Sequence, residues 1–447
     1  MTDILPGFQE IASRHGVDLA EVEPDSVETR LEKLRVLLDD TNVPFPIEPG
    51  HGRKYFEAAK RGEKFGVGTL GDESVDLGEY ANTQNYDAYT DAEHLSWACL
   101  IAEQKKTKHR YACREYLEGE SVFEIGGTVI PDYWLLNARI YQQTNWQLAT
   151  VNKIIPAELF FTCHSKRFFP VTTFMRPLEQ DYLQEPDIGH DVAGHVATFT
   201  IPAVANVMRN HGLARDLVYA ELDQKLKTAS DEQQAKVIRA YADELLLYAG
   251  RIYWFTVEFG LVLQDGDVRD FGAGILSSPG ETKFSIDSAE PNRVLIDPGN
   301  DEDLLRLATT DYLISEFQKT YFVMTSFDRL ESLTPDRILA AAKLAAKLPH
   351  YTWREIVPGD SVLNVGTVMN SPNEKYFRLI AGQAQDECLT RAAVRNLTLL
   401  DHGLATGISL EKVWKAPMPA IPDSAKDWHA NAKRSGKLPK IEMPLSD

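Results

Sequence analysis

The clearest hydrophobic periodicity in this sequence lies between about residues 234 and 262. Apolar side chains recur there in steps of three and four, at Ile238, Tyr241, Leu245, Tyr248, Ile252, Phe255 and Phe259. This spacing places the side chains on one face of a helix. We therefore predict a long helix with one buried face.

Shorter patterns predict further elements along the chain. Helical spacing covers residues 27–38, 91–117, 133–144 and 375–400, β-favouring residues cover 284–286 and 320–324, and a Gly-rich stretch at 62–78 predicts a loop. Together these patterns predict a mainly α fold, that is, α-helices with a few short β-strands.

Composition and charge narrow the functional classes. The chain has 447 residues and a formal net charge of −19, which argues against a nucleic-acid partner because phosphate binding needs clustered Lys and Arg. The longest strongly apolar stretch, 253–263, is too short to span a membrane and contains Glu258. The first residues lack the pattern of a secretory signal. We expect a cytoplasmic protein without a membrane partner.

The segment EPDIGHDVAGHV, residues 185–196, has the densest concentration of potential ligands. His190 and His195 are five residues apart, an offset of about 140° on an ideal helix. The two imidazoles can therefore share one metal only near a helix end or at a distortion. Pro186 and Asp187 suit the start of a helix there.

Glu258 interrupts the apolar run YWFTVEFGLVL. A buried carboxylate needs a cation, a metal or strong donors beside it, and an ion pair with Arg251 is the ordinary alternative. Two histidines and one carboxylate are the ligand set of non-haem Fe(II) oxygenases. This ligand set leaves coordination positions on the iron open. A zinc hydrolase could use the same residues, although the H-E-x-x-H spacing of helical zinc proteases is absent.

Eight motifs in order resemble the pterin-dependent aromatic amino acid hydroxylases, and most closely their bacterial phenylalanine 4-hydroxylase branch. They are TNWQL (144–148), RFFPVTTFMR (167–176), DYLQEPDIGHDVAGHV (181–196), RIYWFTVEFGL (251–261), FGAGILSSPGE (271–281), DSAEPNRV (287–294), FQKTYFV (317–323) and VPGDSVLN (357–364). The resemblance implies a catalytic domain over 86–367, an N-terminal extension over 1–85, and a C-terminal helical extension with a Pro-rich tail over 368–447.

The resemblance also assigns roles, residue by residue. It implies that Fe(II) binds His190, His195 and Glu258. The substrate-binding residues it implies are Arg176, Ser277, Trp254, Pro186 and Phe259, with Arg176 pairing the substrate carboxylate. The residues implied for tetrahydropterin are Phe160, Phe161, Ile154 and Asp191, with one of the two phenylalanines stacking on the pterin. Tyr253 and Asp187 are expected to support the site without binding the iron.

Some positions depart from the family pattern. Asn152, Lys153 and Ile154 stand where a Pro-Gly-Leu sequence is usual, so a long cation replaces a glycine in the pterin loop. Gly189, Ala193 and Ala197 also differ from the usual residues, and an enlarged or reshaped space around the iron is expected. Such changes alter substrate discrimination more readily than reaction class.

The resemblance implies a monooxygenase that hydroxylates the ring of an aromatic amino acid with Fe(II), O2 and a tetrahydropterin, with conversion of L-phenylalanine to tyrosine as the first expectation. Phenylalanine 3-hydroxylation, tryptophan 5-hydroxylation and a non-catalytic amino acid-binding module stay open as alternatives. The C-terminal extension favours self-association into a homo-oligomer.

Overall fold

The structure is a computed structural model that describes residues 7–39, 50–66, 70–71, 73–177, 186–312, 314, 316–348, 350–357 and 359–367. The predicted helix 375–400 and the Pro-rich tail lie outside these residues. Two compact units are present. One comprises the described residues up to Leu213 together with Arg269–Ile286, and the other comprises Ala214–Val268 together with the described residues from Asp287 onward.

Helices dominate the described chain, which confirms the predicted fold class. They are α1 Phe8–His15, α2 Val27–Asp39, α3 His51–Lys60, α4 Asp91–Tyr111, α5 Arg114–Phe123, α6 Tyr133–Thr144, α7 Ala157–Ser165, α8 Ile188–His190, α9 Pro202–Lys227, α10 Glu232–Tyr253, α11 Ala273–Leu276, α12 Pro279–Asp287, α13 Asp301–Ala308 and α14 Pro335–Ala345. In addition, two π-helical segments, Asp191–His195 and Trp254–Glu258, directly follow α8 and α10.

The strands are short and form two sheets. They are β1 Gln147–Thr150, β2 Phe168–Val171, β3 Gly260–Gln264, β4 Asp267–Asp270, β5 Asn292–Ile296, β6 Thr320–Met324 and β7 Ser361–Asn364. β1 and β2 pair in parallel. The other sheet has the order β4-β3-β6-β5-β7, in which β6 lies parallel to both β3 and β5 while β7 is antiparallel to β5.

Side-chain caps explain where two of the helices begin. Thr90 and Glu93 form a reciprocal capping box at the start of α4. Asp132 caps α6 by accepting a hydrogen bond of 2.8 Å from the amide of Trp134. The predicted helix over 133–144 and the predicted strand over 320–324 are both confirmed.

The N-terminal helices pack on α4 and α6. Leu95 and Cys99 of α4 form a buried cluster with Ala12 of α1 and with Leu19. α2 lies against α6, and Arg30 of α2 donates a hydrogen bond of 2.7 Å to the buried carboxylate of Asp132. The predicted boundaries at residues 85 and 367 stay predictions.

Three sequence predictions about secondary structure were wrong or incomplete. The strand predicted at 284–286 belongs to α12, because Pro279 starts a helix that runs through it. The helix predicted to residue 262 is α-helical only to Tyr253, continues as the π-helical segment to Glu258, and is followed by β3 from Gly260. The helix predicted over 91–117 is divided after Tyr111 into α4 and α5.

Among the described residues, no helix combines the length and the apolar character that crossing a membrane would require.

Candidate metal centre

Both predicted histidine ligands lie at the ends of one short helical run. Asp187 caps α8 by accepting a hydrogen bond of 3.1 Å from the His190 amide, and the π-helical segment Asp191–His195 follows at once. A π-helix has i→i+5 hydrogen bonds and therefore more residues in each turn than an α-helix. Residues five apart then come to lie near the same face. This is the distortion that the spacing of His190 and His195 required.

Glu258 is the last residue of the other π-helical segment. The Phe259 amide donates a hydrogen bond of 2.8 Å to the Trp254 carbonyl, which is an i→i+5 bond. The Glu258 side chain is buried, with 7% of its surface exposed. Arg251, the ordinary alternative partner considered for this carboxylate, pairs with Asp311.

The three predicted ligands come together. His190, His195 and Glu258 each offer one ligand atom, and these atoms all lie within 4.8 Å of one another. Two imidazole nitrogens and one carboxylate oxygen form the donor set that non-haem iron uses with open coordination positions. The residues present therefore fit an Fe(II) ion.

Ser277 determines which nitrogen of His190 is available to a metal. Its Oγ lies 3.0 Å from Nδ1 of His190 and donates its own hydrogen to the Gly274 carbonyl at 3.0 Å. Because the hydroxyl hydrogen is used there, Nδ1 carries the proton and donates to Ser277. Nε2 is then the ligand atom, in the arrangement by which outer hydrogen bonds orient metal-binding histidines.

Gly194 allows the ligand segment to approach α11 closely. A Cβ atom at this position would lie 2.7 Å from the carbonyl oxygen of Ala273 and 3.1 Å from Cβ of Ser277. A side chain would therefore push α11 and the Ser277 hydroxyl away from His190. At Gly189 a Cβ atom would lie 2.4 Å from Cδ2 of Leu100, so the Leu100 side chain occupies the space that a side chain at position 189 would need.

Arg176 and Asp187 form a buried bidentate ion pair. Nε of Arg176 lies 2.8 Å from Oδ2 of Asp187, and its Nη2 lies 2.6 Å from Oδ1. The same carboxylate also accepts from the backbone amides of Arg176 and His190. Asp187 thereby links the predicted substrate-binding arginine to the first histidine. The role of Arg176 toward a substrate stays a prediction.

Asp191 follows His190 directly and is buried, with 4% of its surface exposed. Its Oδ2 accepts hydrogen bonds from the Thr172 amide at 2.7 Å and from the Thr172 hydroxyl at 2.8 Å. Burial raises the pKa of this carboxyl to about 7, although the hydrogen bonds from Thr172 oppose the shift.

Three aromatic rings meet at the π-helical segment that ends at Glu258. Trp254 stacks on Tyr312 with a centroid distance of 4.0 Å and lies 4.6 Å from the ring of Phe259. Its indole nitrogen donates to the side-chain oxygen of Gln318 at 3.2 Å. Tyr253 is buried, and burial raises its pKa well above the ordinary value, with Glu258 adding to the shift. Sequence reasoning missed Tyr312, since it lies outside any periodic element.

The predicted pterin residues differ in exposure. Phe161 is buried and its ring lies 6.0 Å from His211, whereas Phe160 is half-buried and packs against His164 at 4.2 Å. Ile154 is 48% exposed. The ammonium of Lys153 lies 4.9 Å from the ring centre of Tyr80, a cation–π contact. Pro186, predicted to line the substrate pocket, is half-buried immediately before Asp187.

The sequence matches the family described as biopterin-dependent aromatic amino acid hydroxylase over residues 79–335. This match covers more than half of the chain, and the chain belongs to this family. The predicted resemblance is confirmed.

Curated relatives support the same assignment. The phenylalanine-4-hydroxylase of Chromobacterium violaceum is 36% identical over 295 residues, which are 66% of this chain and 90% of the relative. That of Ralstonia nicotianae is 34% identical over 290 residues, or 65% of this chain and 84% of the relative.

Solved structures of the Chromobacterium violaceum phenylalanine hydroxylase are also similar. The one with bound oxidised Fe(III) has a TM-score of 0.55 at 35% identity and covers 65% of this chain and 96% of its own. Another, with iron(III) and 7,8-dihydrobiopterin, has a TM-score of 0.54 at 36% identity and covers 65% and 95%.

Proposed function

We propose that this chain is a monooxygenase that hydroxylates the ring of L-phenylalanine to give tyrosine, using Fe(II), O2 and a tetrahydropterin. The observation that carries the proposal is the cluster of His190, His195 and Glu258 in a member of the biopterin-dependent hydroxylase family. Relatives named phenylalanine-4-hydroxylase support the choice of substrate and ring position. Family membership also favours an oxygenase over the zinc hydrolase considered from the ligands alone.

In this proposal the three ligands hold the iron and leave positions open beside it. When bound, iron and the reduced pterin together supply the chemistry that activates O2 for insertion into the ring. The protein orients the ligands through Ser277 and Asp187, whose hydrogen bonds fix the imidazole of His190 and the start of its helix. His195 and Glu258 are buried, so their immediate surroundings exclude most water.

Arg176 is assigned to the substrate carboxylate. Its guanidinium is held in one orientation by the bidentate contact with Asp187, so it loses little conformational freedom when a substrate binds. Trp254, Phe259 and Pro186 are assigned to the walls around the aromatic ring. Trp254 suits this role because it is stacked on Tyr312 and hydrogen-bonded to Gln318.

For the pterin we assign Phe160 as the stacking ring, since it is only partly buried whereas Phe161 is part of the core. Ile154 and Asp191 are assigned to the same cofactor. The cytoplasmic location, self-association, and the lack of nucleic-acid and membrane partners stay predictions.

The test is product identification with protein reconstituted with Fe(II) and supplied with a tetrahydropterin and O2. Phenylalanine, tyrosine and tryptophan are offered separately, and products are compared with authentic ring-hydroxylated standards by chromatography and mass spectrometry. We expect para-tyrosine from phenylalanine, with no product from the His190→Ala variant. meta-Tyrosine or 5-hydroxytryptophan as the main product would replace the proposed reaction with another of the same class.

Two further outcomes would distinguish a zinc hydrolase and a non-catalytic binding module from the proposed enzyme. Metal analysis that finds zinc in the functional protein, with activity lost on exchange for iron, would support the hydrolase. Binding of amino acid and iron without any hydroxylated product or substrate-dependent pterin oxidation would support the non-catalytic module.

A further inference from the structure

A buried lysine lies against the segment that carries both histidines. Lys108, in the last turn of α4, has 1% of its surface exposed. Its ammonium donates to Glu120 at 2.6 Å, to the Tyr116 hydroxyl at 3.1 Å and to the main-chain carbonyl of Ala193 at 2.6 Å. Lysine is among the side chains least often buried. A full set of partners compensates its burial here.

Ala193 lies in the middle of the π-helical segment, between the two ligands. Its carbonyl accepts a hydrogen bond from Lys108 and another from the Tyr116 hydroxyl. A carbonyl oxygen has two lone pairs, so these two side chains can occupy both. Donors that reach into a helix in this way compete with the backbone i→i−4 bond and change the local turn. The contact therefore favours the wide turn over an α-helical one.

A second buried side chain of α4 binds the residue that contacts His190. Gln104, one turn before Lys108, donates a hydrogen bond of 3.0 Å to the Ser277 carbonyl. The Ser277 hydroxyl in turn lies 3.0 Å from Nδ1 of His190. Two buried polar side chains of one helix thus bind two backbone carbonyls: that of Ala193 in the ligand segment, and that of Ser277, whose hydroxyl contacts His190.

We propose that Lys108 is a positioning residue of the metal site. Through the carbonyl of Ala193 it holds Asp191–His195 in the wide-turn geometry that directs His190 and His195 to one ion. The inference rests on the proposed function, because it assumes that the triad binds a metal.

The test is titration of the metal-free protein with Co(II), whose visible absorption reports on coordination geometry. Lys108→Met keeps the length of the side chain but cannot donate. We expect its Co(II) affinity to fall about 10- to 100-fold, as for other partners that orient metal ligands, with a shifted visible spectrum. Tyr116→Phe removes the second donor with little change in shape and should produce a smaller shift in the same direction. This variant keeps the test informative if Lys108→Met does not fold.

Two controls separate positioning from general loss of stability. Glu120→Gln removes the ion pair of Lys108 but leaves both donors to Ala193 in place, so it should bind Co(II) with the wild-type spectrum. Trp97→Phe removes a hydrogen bond from α4 to the Gly127 carbonyl and should lower the Tm without changing the spectrum.

An unchanged affinity and spectrum in both Lys108→Met and Tyr116→Phe would overturn the positioning role alone. The same would follow if Trp97→Phe changed the spectrum as much as Lys108→Met did. If the wild-type protein bound no Co(II), the proposed metal site would fail together with this inference.

Discussion

The hydroxyl of Ser277 lies 3.0 Å from Nδ1 of His190 and is itself bonded to the Gly274 carbonyl. Ser277 therefore orients the metal ligand His190. This role is additional to the substrate contact expected from the sequence. Its removal should therefore affect metal binding before any substrate is added.

For Ser277→Ala we expect metal affinity to fall about 10- to 100-fold, because His190 loses the partner that fixes its tautomer and ring orientation. Competition against a coloured chelator would measure the change. Ser278→Ala is the matched control, since the Ser278 hydroxyl accepts from the Glu281 amide. That variant should lose some stability and no metal affinity. Equal affinity in the two variants would contradict the prediction.

The Asp187→Asn substitution should damage both folding and substrate binding. Nε and Nη2 of Arg176 each donate to a different oxygen of the Asp187 carboxylate. An Asn side chain has a single acceptor oxygen, so its amide nitrogen would face one of the two Arg176 donors. Breaking a buried ion pair costs about 3–5 kcal/mol in the free energy of unfolding. We expect a lower Tm and, in the protein that folds, a higher KM for the amino acid. A wild-type KM would show that Arg176 does not need this partner.

The ring of Tyr312 stacks on Trp254 and helps to orient it. The Tyr312→Leu substitution removes a contact worth about 0.5–1.5 kcal/mol, and Trp254 should then sample more orientations. We expect a higher KM for phenylalanine and a larger share of product hydroxylated away from the para position. Tyr312→Phe retains the stacked ring and should keep the wild-type product ratio, as measured by chromatography.

His94 should make stability depend on pH. It is buried between Tyr86 and Tyr89, and its Nδ1 accepts a hydrogen bond of 3.2 Å from the Ile130 amide. Burial lowers its pKa, although Asp91 and Glu93 oppose the shift.

The unfolded chain therefore takes up a proton at this position near pH 6.5, before the folded chain does, and the free energy of unfolding falls as the pH drops below about 6.5. Urea unfolding at pH 7.5 and 5.5 should show a smaller loss on acidification in His94→Gln than in the wild type. Equal losses would rule out this contribution.

Arg30 should control how firmly α2 is held. It pairs with Asp132 at 2.7 Å, also pairs with Asp87, and lies 4.3 Å from the ring centre of Tyr86. In Arg30→Met we expect faster thermolysin cleavage within α2, with unchanged Co(II) binding at the metal site. Lys33→Met, on the same helix in a half-exposed pair with Asp25, should leave the cleavage rate unchanged.

Sequence reasoning found the residues of the site more readily than their geometry. The bounds of α6 could be predicted because Pro131 and Asp132 precede the helix, and Asp132 supplies the cap. The ligand triad could be predicted because a carboxylate in an apolar run and two histidines beside glycines are chemically unusual.

The two π-helical segments could not be predicted in the same way. Their i→i+5 bonds depend on tertiary contacts such as those of Lys108 with Ala193, which no local pattern reveals. A lysine near the end of a helix is expected at the surface, and its burial here became apparent only from the packing of α4 against the ligand segment.

The wide turns at both ligand segments also limit how this chemistry could be transplanted. A protein engineer who copied the two histidines and the glutamate onto regular helices would separate the imidazoles by more than a third of a turn. The graft would have to include both π-helical segments and the side chains that support them. The alternative on a regular helix is to place the two histidines four residues apart, where both imidazoles lie on one face.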